Sequence, residues 1–115
     1  MKYAGSCHCG DVAFEFEGSF DEVMECNCSH CSRKGYLLVF IPHEQLTLSK
    51  GTESLSTYTF NKHVIHHQFC NRCGCAPFGV GTNPKGGKVA AVNVRCLDDF
   101  DLASIKRKPV DGKSF

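Results

Sequence analysis

Seven of the nine cysteines in this 115-residue chain fall into three spaced groups, and that spacing constrains the fold more than any other feature. Cys7 and Cys9 form a C-x-C pair followed by Gly10. Cys26, Cys28 and Cys31 form C-x-C-x-x-C. Cys70 and Cys73 form a C-x-x-C pair followed by Gly74, and Cys75 and Cys96 stand outside the groups. A C-x-x-C-G turn brings two sulfurs together while backbone N–H groups around the glycine donate to them. That environment suits thiolates and a zinc ion.

Disulfides are the competing use of cysteine. An odd count would leave one thiol over. The opening MKYAGSCHCG has one lysine but no apolar region, so it does not read as a secretory signal. No apolar run approaches the ~20 residues of a membrane span. These features predict a cytoplasmic chain, where thiols stay reduced and clustered cysteines bind metal.

A structural zinc takes four ligands in a closed tetrahedron. Cys7, Cys9, Cys70 and Cys73 supply four, and a metal there would join the first strands to the late ones. Cys26, Cys28 and Cys31 are then left as a set of three. Three protein ligands with an open position are the pattern of a catalytic zinc, and the open position can take a water, a thiol or an aldehyde oxygen. Three thiolates make zinc a weak Lewis acid that exchanges thiols readily, so the chemistry favours a sulfur nucleophile. Cys75 or His30 could instead close the middle site into a second structural zinc. Cys75 also fits a buried small residue or a reactive thiol, and Cys96 fits the core.

Seven thiolates and two Zn²⁺ would lower the formal charge of +1 by three, to about −2. Neither value makes a basic field for nucleic acid. The short run Lys106-Arg107-Lys108 reads as a solvated tail. His63, His66 and His67 are close in sequence, but adjacent strand residues face opposite ways, so the expectation is a solvated strand face. Gly81 to Lys88 (GTNPKGGK) lacks the spacing and the hydroxyl residue of a phosphate loop and reads as a hairpin loop. No Ser/His/Asp set or paired carboxylate stands out.

The hydrophobic pattern predicts a single, mostly β domain over residues 1–115, with about seven short strands and two helical turns. Val12, Phe14 and Phe16 alternate with Ala13, Glu15 and Glu17. Ser29 to Lys34 predicts a helical turn capped by Ser29 and stopped by Gly35. Tyr36 to Ile41 reads as a fully buried strand ended by Pro42. Leu46 and Leu48, Ser56 to Phe60, His63 to Cys70, Pro77 to Val80 and Val89 to Val94 are further strand signals. Asp98-Asp99 predicts the start of a short helix running to Lys106. Tyr58 and Phe60 read as core or cleft packing.

GSCHCGDVAFEF, ECNCSHCSRKG, STYTF, HHQFCNRCGCAPF and VNVRCLDD, in that order, resemble the glutathione-dependent formaldehyde-activating family, whose domain is shared with the centromere protein V group. The resemblance covers nearly the whole chain. It implies an Mss4-like fold of several small twisted antiparallel sheets stapled by zinc. It also implies two Zn²⁺ per chain, a structural one on Cys7, Cys9, Cys70 and Cys73 and a catalytic one on Cys26, Cys28 and Cys31. The implied activity is of the carbon–sulfur lyase type and joins formaldehyde to glutathione as S-hydroxymethylglutathione, with a small thiol and an aldehyde as partners and neither nucleic acid nor membrane. His30 is the candidate acid by proximity. This chain is shorter than members that carry the named activity, and Cys96 stands where members often have a small residue such as Thr. Two alternatives to an enzyme remain at this level: a zinc-binding interaction module, or a labile zinc and thiol site.

Overall fold

Apolar side chains recurring at every second position build this molecule from strands. The computed structural model describes residues 1–83 and 85–112. In chain order the elements are β1 (Lys2–Ser6), β2 (Ala13–Glu17), β3 (Glu22–Cys26), α1 (Ser29–Lys34), β4 (Leu38–Pro42), β5 (Leu46–Lys50), β6 (Leu55–Tyr58), β7 (His66–Cys70), β8 (Phe78–Thr82), β9 (Lys88–Asn93) and β10 (Lys106–Val110). The mostly β expectation holds, in two sheets. One has the order β1-β2-β5 and the other the order β10-β3-β4-β9-β8-β7-β6. Every pairing is antiparallel except that of β10 with β3. Among the described residues no helix is long and apolar enough to cross a membrane.

The main core forms where the sheets meet. Phe14 and Phe16 come from the smaller sheet. Val23, Val39, Ile41, Ala90 and Val92 come from β3, β4 and β9 of the larger one, with Leu37, Val94 and Leu97 completing the cluster. Period-2 alternation decides which residues these are. Burying them supplies most of the driving force, at about 25 cal/mol for each Å² of apolar surface removed from water.

Several local expectations need correction. The cap of α1 is Cys28, whose Sγ accepts from Cys31 N–H, and not Ser29. A thiol one residue earlier reaches the third N–H of the helix, and Ser29 C=O instead accepts from Arg33. Gly35 does end α1, its N–H donating to Cys31 C=O. Tyr36 and Leu37 are buried but precede the strand, and within β4 burial alternates, with Phe40 52% exposed. His63 lies in a turn and β7 begins at His66.

The segment from Asp98 to Ser104 contains no helix. Leu102 and Ile105 reach the core from turns, one of them closed by Asp101 accepting from Ala103 N–H and Ser104 Oγ–H. Lys106-Arg107-Lys108 is not a tail but the start of β10. That strand lies along β3, where Lys106 meets Glu22 at 3.9 Å and Arg107 meets Glu25 at 3.7 Å. Its Pro109 lacks an N–H and is tolerated because β10 is the edge strand. GTNPKGGK does connect two strands, β8 and β9, and Asn83 Oδ1 accepts from Lys85 and Gly87 N–H. Pro84 lies outside the described residues.

Candidate metal centres and the adjoining cavity

All nine cysteines are free thiols, and seven of them converge in two places. The first cluster joins the two sheets. Cys7 and Cys9 sit on the loop leaving β1, whereas Cys70 ends β7 and Cys73 follows in the next turn. Gly10 and Gly74 turn the chain after each pair at φ 84° and 82°, where an L side chain would be strained. Val12 N–H donates to Cys7 Sγ at 3.3 Å, and Arg72 and Cys73 N–H donate to Cys70 Sγ at 3.4 and 3.5 Å.

The spacing of these sulfurs fits zinc. Cys7 and Cys9 Sγ are 3.7 Å apart, and Cys9 and Cys70 Sγ are 3.6 Å apart. A tetrahedron with Zn–S bonds of about 2.3 Å has edges of about 3.8 Å. The electrostatics agree. The N–H groups of Cys75 and Cys9 hold the Cys73 thiol down to about 5, and those of Cys73 and Arg72 lower Cys70. Cys9 receives the Asp11 N–H, yet burial and its thiol neighbours push it up to about 12. The nest therefore favours some thiolates and resists four, and a bound dication removes that conflict.

The second cluster is built on a strand end and a helix start. Cys26 closes β3, Cys28 caps α1 and Cys31 is its buried residue. Cys31 N–H donates to Cys28 Sγ at 3.3 Å. Cys28 is lowered: burial opposes this, but N–H groups from Cys31 and His30 and the neighbouring thiols outweigh it. Burial and Cys28 push Cys31 up. No fourth Cys, His, Asp or Glu among the described residues completes this set. Cys75 packs beside Cys7, Val12 and Cys70 at the other cluster. Cys96 packs against the main core, as expected.

His30 does not turn toward the sulfurs. Its ring lies among Tyr36, Tyr58, Phe60 and His67, at centroid distances of 5.5, 5.5, 5.1 and 4.3 Å. Its Nδ1 is buried without a hydrogen-bond partner, and burial followed by Lys34 lowers its pKa.

His67 corrects the expectation of a solvated histidine face. His66 is exposed, but His67 is half-buried and lines a cavity beside the three thiols. Burial first, then His30, His66 and Lys34, hold it down to about 4. It is therefore a neutral imidazole at neutral pH. Period-2 alternation correctly separated His66 from His67, but it carries no label saying which face is solvent.

The cavity has a volume of ≈ 460 Å³. Its floor is the face of the larger sheet opposite the core. Met24, Leu38, Phe40, Ala91, Gly79 and His67 come in turn from β3, β4, β9, β8 and β7. Cys26, Cys28 and Cys31 stand at one side, with Tyr36, Phe60 and Ile65 on the walls. Tyr58 stacks on Phe60 outside it. A larger depression of ≈ 640 Å³, lined by residues 40–44, Asn83 and residues 87–89, holds none of the cysteines. The reactive groups adjoin the smaller space.

A family model described as glutathione-dependent formaldehyde-activating enzyme matches residues 2–110. A crystal structure of a Rhodobacter sphaeroides protein is similar to this chain, with a TM-score of 0.78 and 29% sequence identity, covering 94% of this chain and 100% of that one.

Proposed function

The chain belongs to the glutathione-dependent formaldehyde-activating enzyme family, and on that premise we propose that it is a zinc-dependent enzyme of the carbon–sulfur lyase type. It makes or breaks the bond between a thiol sulfur and an aldehyde carbon at Cys26, Cys28 and Cys31. Cys7, Cys9, Cys70 and Cys73 hold a second, structural zinc. Glutathione and formaldehyde are the pair that the family's name supplies. The observation that carries this reading is a convergent three-thiol set, with no fourth donor among the described residues, beside a cavity.

Zinc bound there would supply a Lewis acid that lowers the pKa of an incoming thiol and polarises a carbonyl. The chain's own groups do the rest. Cys28 is held toward its thiolate by the Cys31 N–H at the start of α1. His67 is neutral and its burial resists taking up a proton, so its role is that of a hydrogen-bond donor, its ring N–H steadying the carbonyl oxygen as the thiol adds. His30 packs on His67 and positions it. Tyr36, pushed up to about 12 by burial and then Cys31, stays a hydroxyl donor. The apolar walls limit competing water.

Zinc content and exchange kinetics test this together. Wild type should hold two zinc ions and Cys28→Ala one. The NMR exchange rate between formaldehyde, glutathione and their adduct should fall to the buffer rate in Cys28→Ala. Equal exchange in both proteins would falsify the catalytic role of this centre.

A further inference from the structure

One row of residues across the larger sheet shapes the cavity floor. His67 pairs with Gly79, Gly79 with Ala91 and Ala91 with Phe40. The two central residues are the smallest available and the outer two are rings. The row is therefore a hollow with raised ends, open beside Cys26, Cys28 and Cys31. At Gly79 an added Cβ would meet only ordinary contacts, the nearest being His66 O at 3.5 Å. The missing side chain is thus not demanded by backbone crowding, and what its absence provides is space on the cavity side.

The hollow is much larger than formaldehyde needs and chemically wrong for glutathione. Formaldehyde has two heavy atoms, and a molecule near the size of water occupies about 30 Å³, against a cavity of ≈ 460 Å³. Glutathione carries two carboxylates. None of the described lining residues is Lys, Arg, Asp or Glu, and the polar groups apart from the cysteines are Ser29, Tyr36, Asn61 and His67. A carboxylate placed against Met24, Leu38 and Phe60 would lose its hydration and meet no cation there. The mouth is apolar as well. Phe40 and Ile65 line the cavity yet are 52% and 50% exposed, and exposed Val64 and Tyr58 lie beside Ile65 and Phe60. Large apolar side chains gathered in solvent at a cavity mouth mark a surface kept for an apolar ligand.

We propose that this hollow takes the hydrocarbon part of an uncharged aldehyde, so that the substrate is an apolar aldehyde and its thiol adduct. The proposal rests on thiol–carbonyl chemistry at the three-cysteine centre. The thiol sulfur forms the C–S bond, the C=O π pair moves to oxygen, and the proton lost by the thiol ends on that oxygen. The reverse step returns thiol and aldehyde, and no further reactant is needed. The hydrocarbon chain lies over Gly79 and Ala91, and the thiol's polar remainder stays outside the cavity.

Two measurements on the zinc-loaded protein test it. Hexanol, an unreactive stand-in for hexanal, is titrated into ¹⁵N-labelled protein. Saturable shifts are expected at Phe40, Ile65, Gly79 and Ala91, and their loss in Ala91→Leu. Phe40→Asp, at a side chain already half in solvent, gives the same readout where Ala91→Leu fails to fold. Absence of saturable shifts overturns the proposal. In the second measurement, adduct exchange is followed for hexanal and for formaldehyde, each with glutathione and with uncharged 2-mercaptoethanol. Acceleration over buffer should be about tenfold greater for hexanal, and Ala91→Leu should remove that preference. Acceleration of formaldehyde without hexanal overturns the apolar substrate and leaves the thiol–carbonyl function standing. Acceleration of no pair overturns both, and hexanol binding then reports the hollow by itself.

Discussion

Gly112 shows how much a single missing side chain controls at the three-cysteine centre. A Cβ there would run into Cys26 Sγ and lie 3.4 Å from Cys28 Cβ. Gly112→Ala should therefore displace Cys26 and weaken metal retention at that centre by about tenfold or more, while the four-cysteine site keeps its zinc. Two-phase zinc release to a chelator measures this, and unchanged release of the weaker ion would contradict it. The other residue to follow is His67. Its folded pKa of about 4 lies below its free value of 6.5. The stability it contributes is present in full above 6.5 and is lost as pH falls toward 4, because the unfolded chain binds the proton first. An NMR titration of the His67 ring should place its midpoint near 4, and a midpoint near 6.5 would show that the ring is solvated. The three cysteine groups were legible because local spacing sets each of them, and the meeting of Cys7 and Cys9 with Cys70 and Cys73 was expected from a structural zinc's need for four ligands. His67 was not, because its burial comes from His30, distant in sequence, and from Phe60 across a turn whose course the sequence does not show.

Element β4 explains why a continuous apolar run misled the expectation of full burial. Val39 and Ile41 face the core, while Leu38 and Phe40 face the cavity. Both faces of the strand are apolar, but on the second Leu38 is only partly buried, beside Cys31 and Tyr36, and Phe40 is left half in solvent. The two faces should respond differently to truncation. Ile41→Ala should cost about 2–5 kcal/mol. Phe40→Ala should cost within about 0.5 kcal/mol while weakening hexanol binding. Urea unfolding of both variants checks this, and a large loss from Phe40→Ala would place its ring in the core instead. Strand β10 was missed for a different reason. Its LysArgLysProVal sequence has weak intrinsic strand character, and it becomes a strand because β3 offers an unpaired edge with Glu22 and Glu25 to match its cations. Such exposed pairs contribute only ~0–1 kcal/mol each. They select the register, and the backbone pairing with β3 does most of the holding.

On the scale of the whole molecule, the four-cysteine cluster adds a connection between the sheets to the one their core makes. That core is the one Phe14 and Phe16 share with β3, β4 and β9. Around the cluster itself the buried packing is thin: Cys7, Val12 and Cys70, flanked by Cys9, Leu48, Leu55, Cys73 and Cys75. Sulfur makes up much of that packing, and without a dication several of these thiols compete for protons. The strand order was not legible in sequence, since β10 inserts beside β3 across most of the chain. The requirement for a link between early and late segments was legible, from Cys7 and Cys9 against Cys70 and Cys73. Structural zinc sites contribute an apparent ~10–16 kcal/mol in small domains, against a net stability of about 5–15 kcal/mol for a whole domain. Losing this site should therefore abolish most of the cooperative fold even though the shared core remains. Cys70→Ser should lack a cooperative thermal transition by circular dichroism or melt at least ~15 °C lower, whereas Cys28→Ala should melt within a few degrees of wild type. A Cys70→Ser protein that melts like wild type would mean that Phe14 and Phe16 hold the two sheets together without the metal.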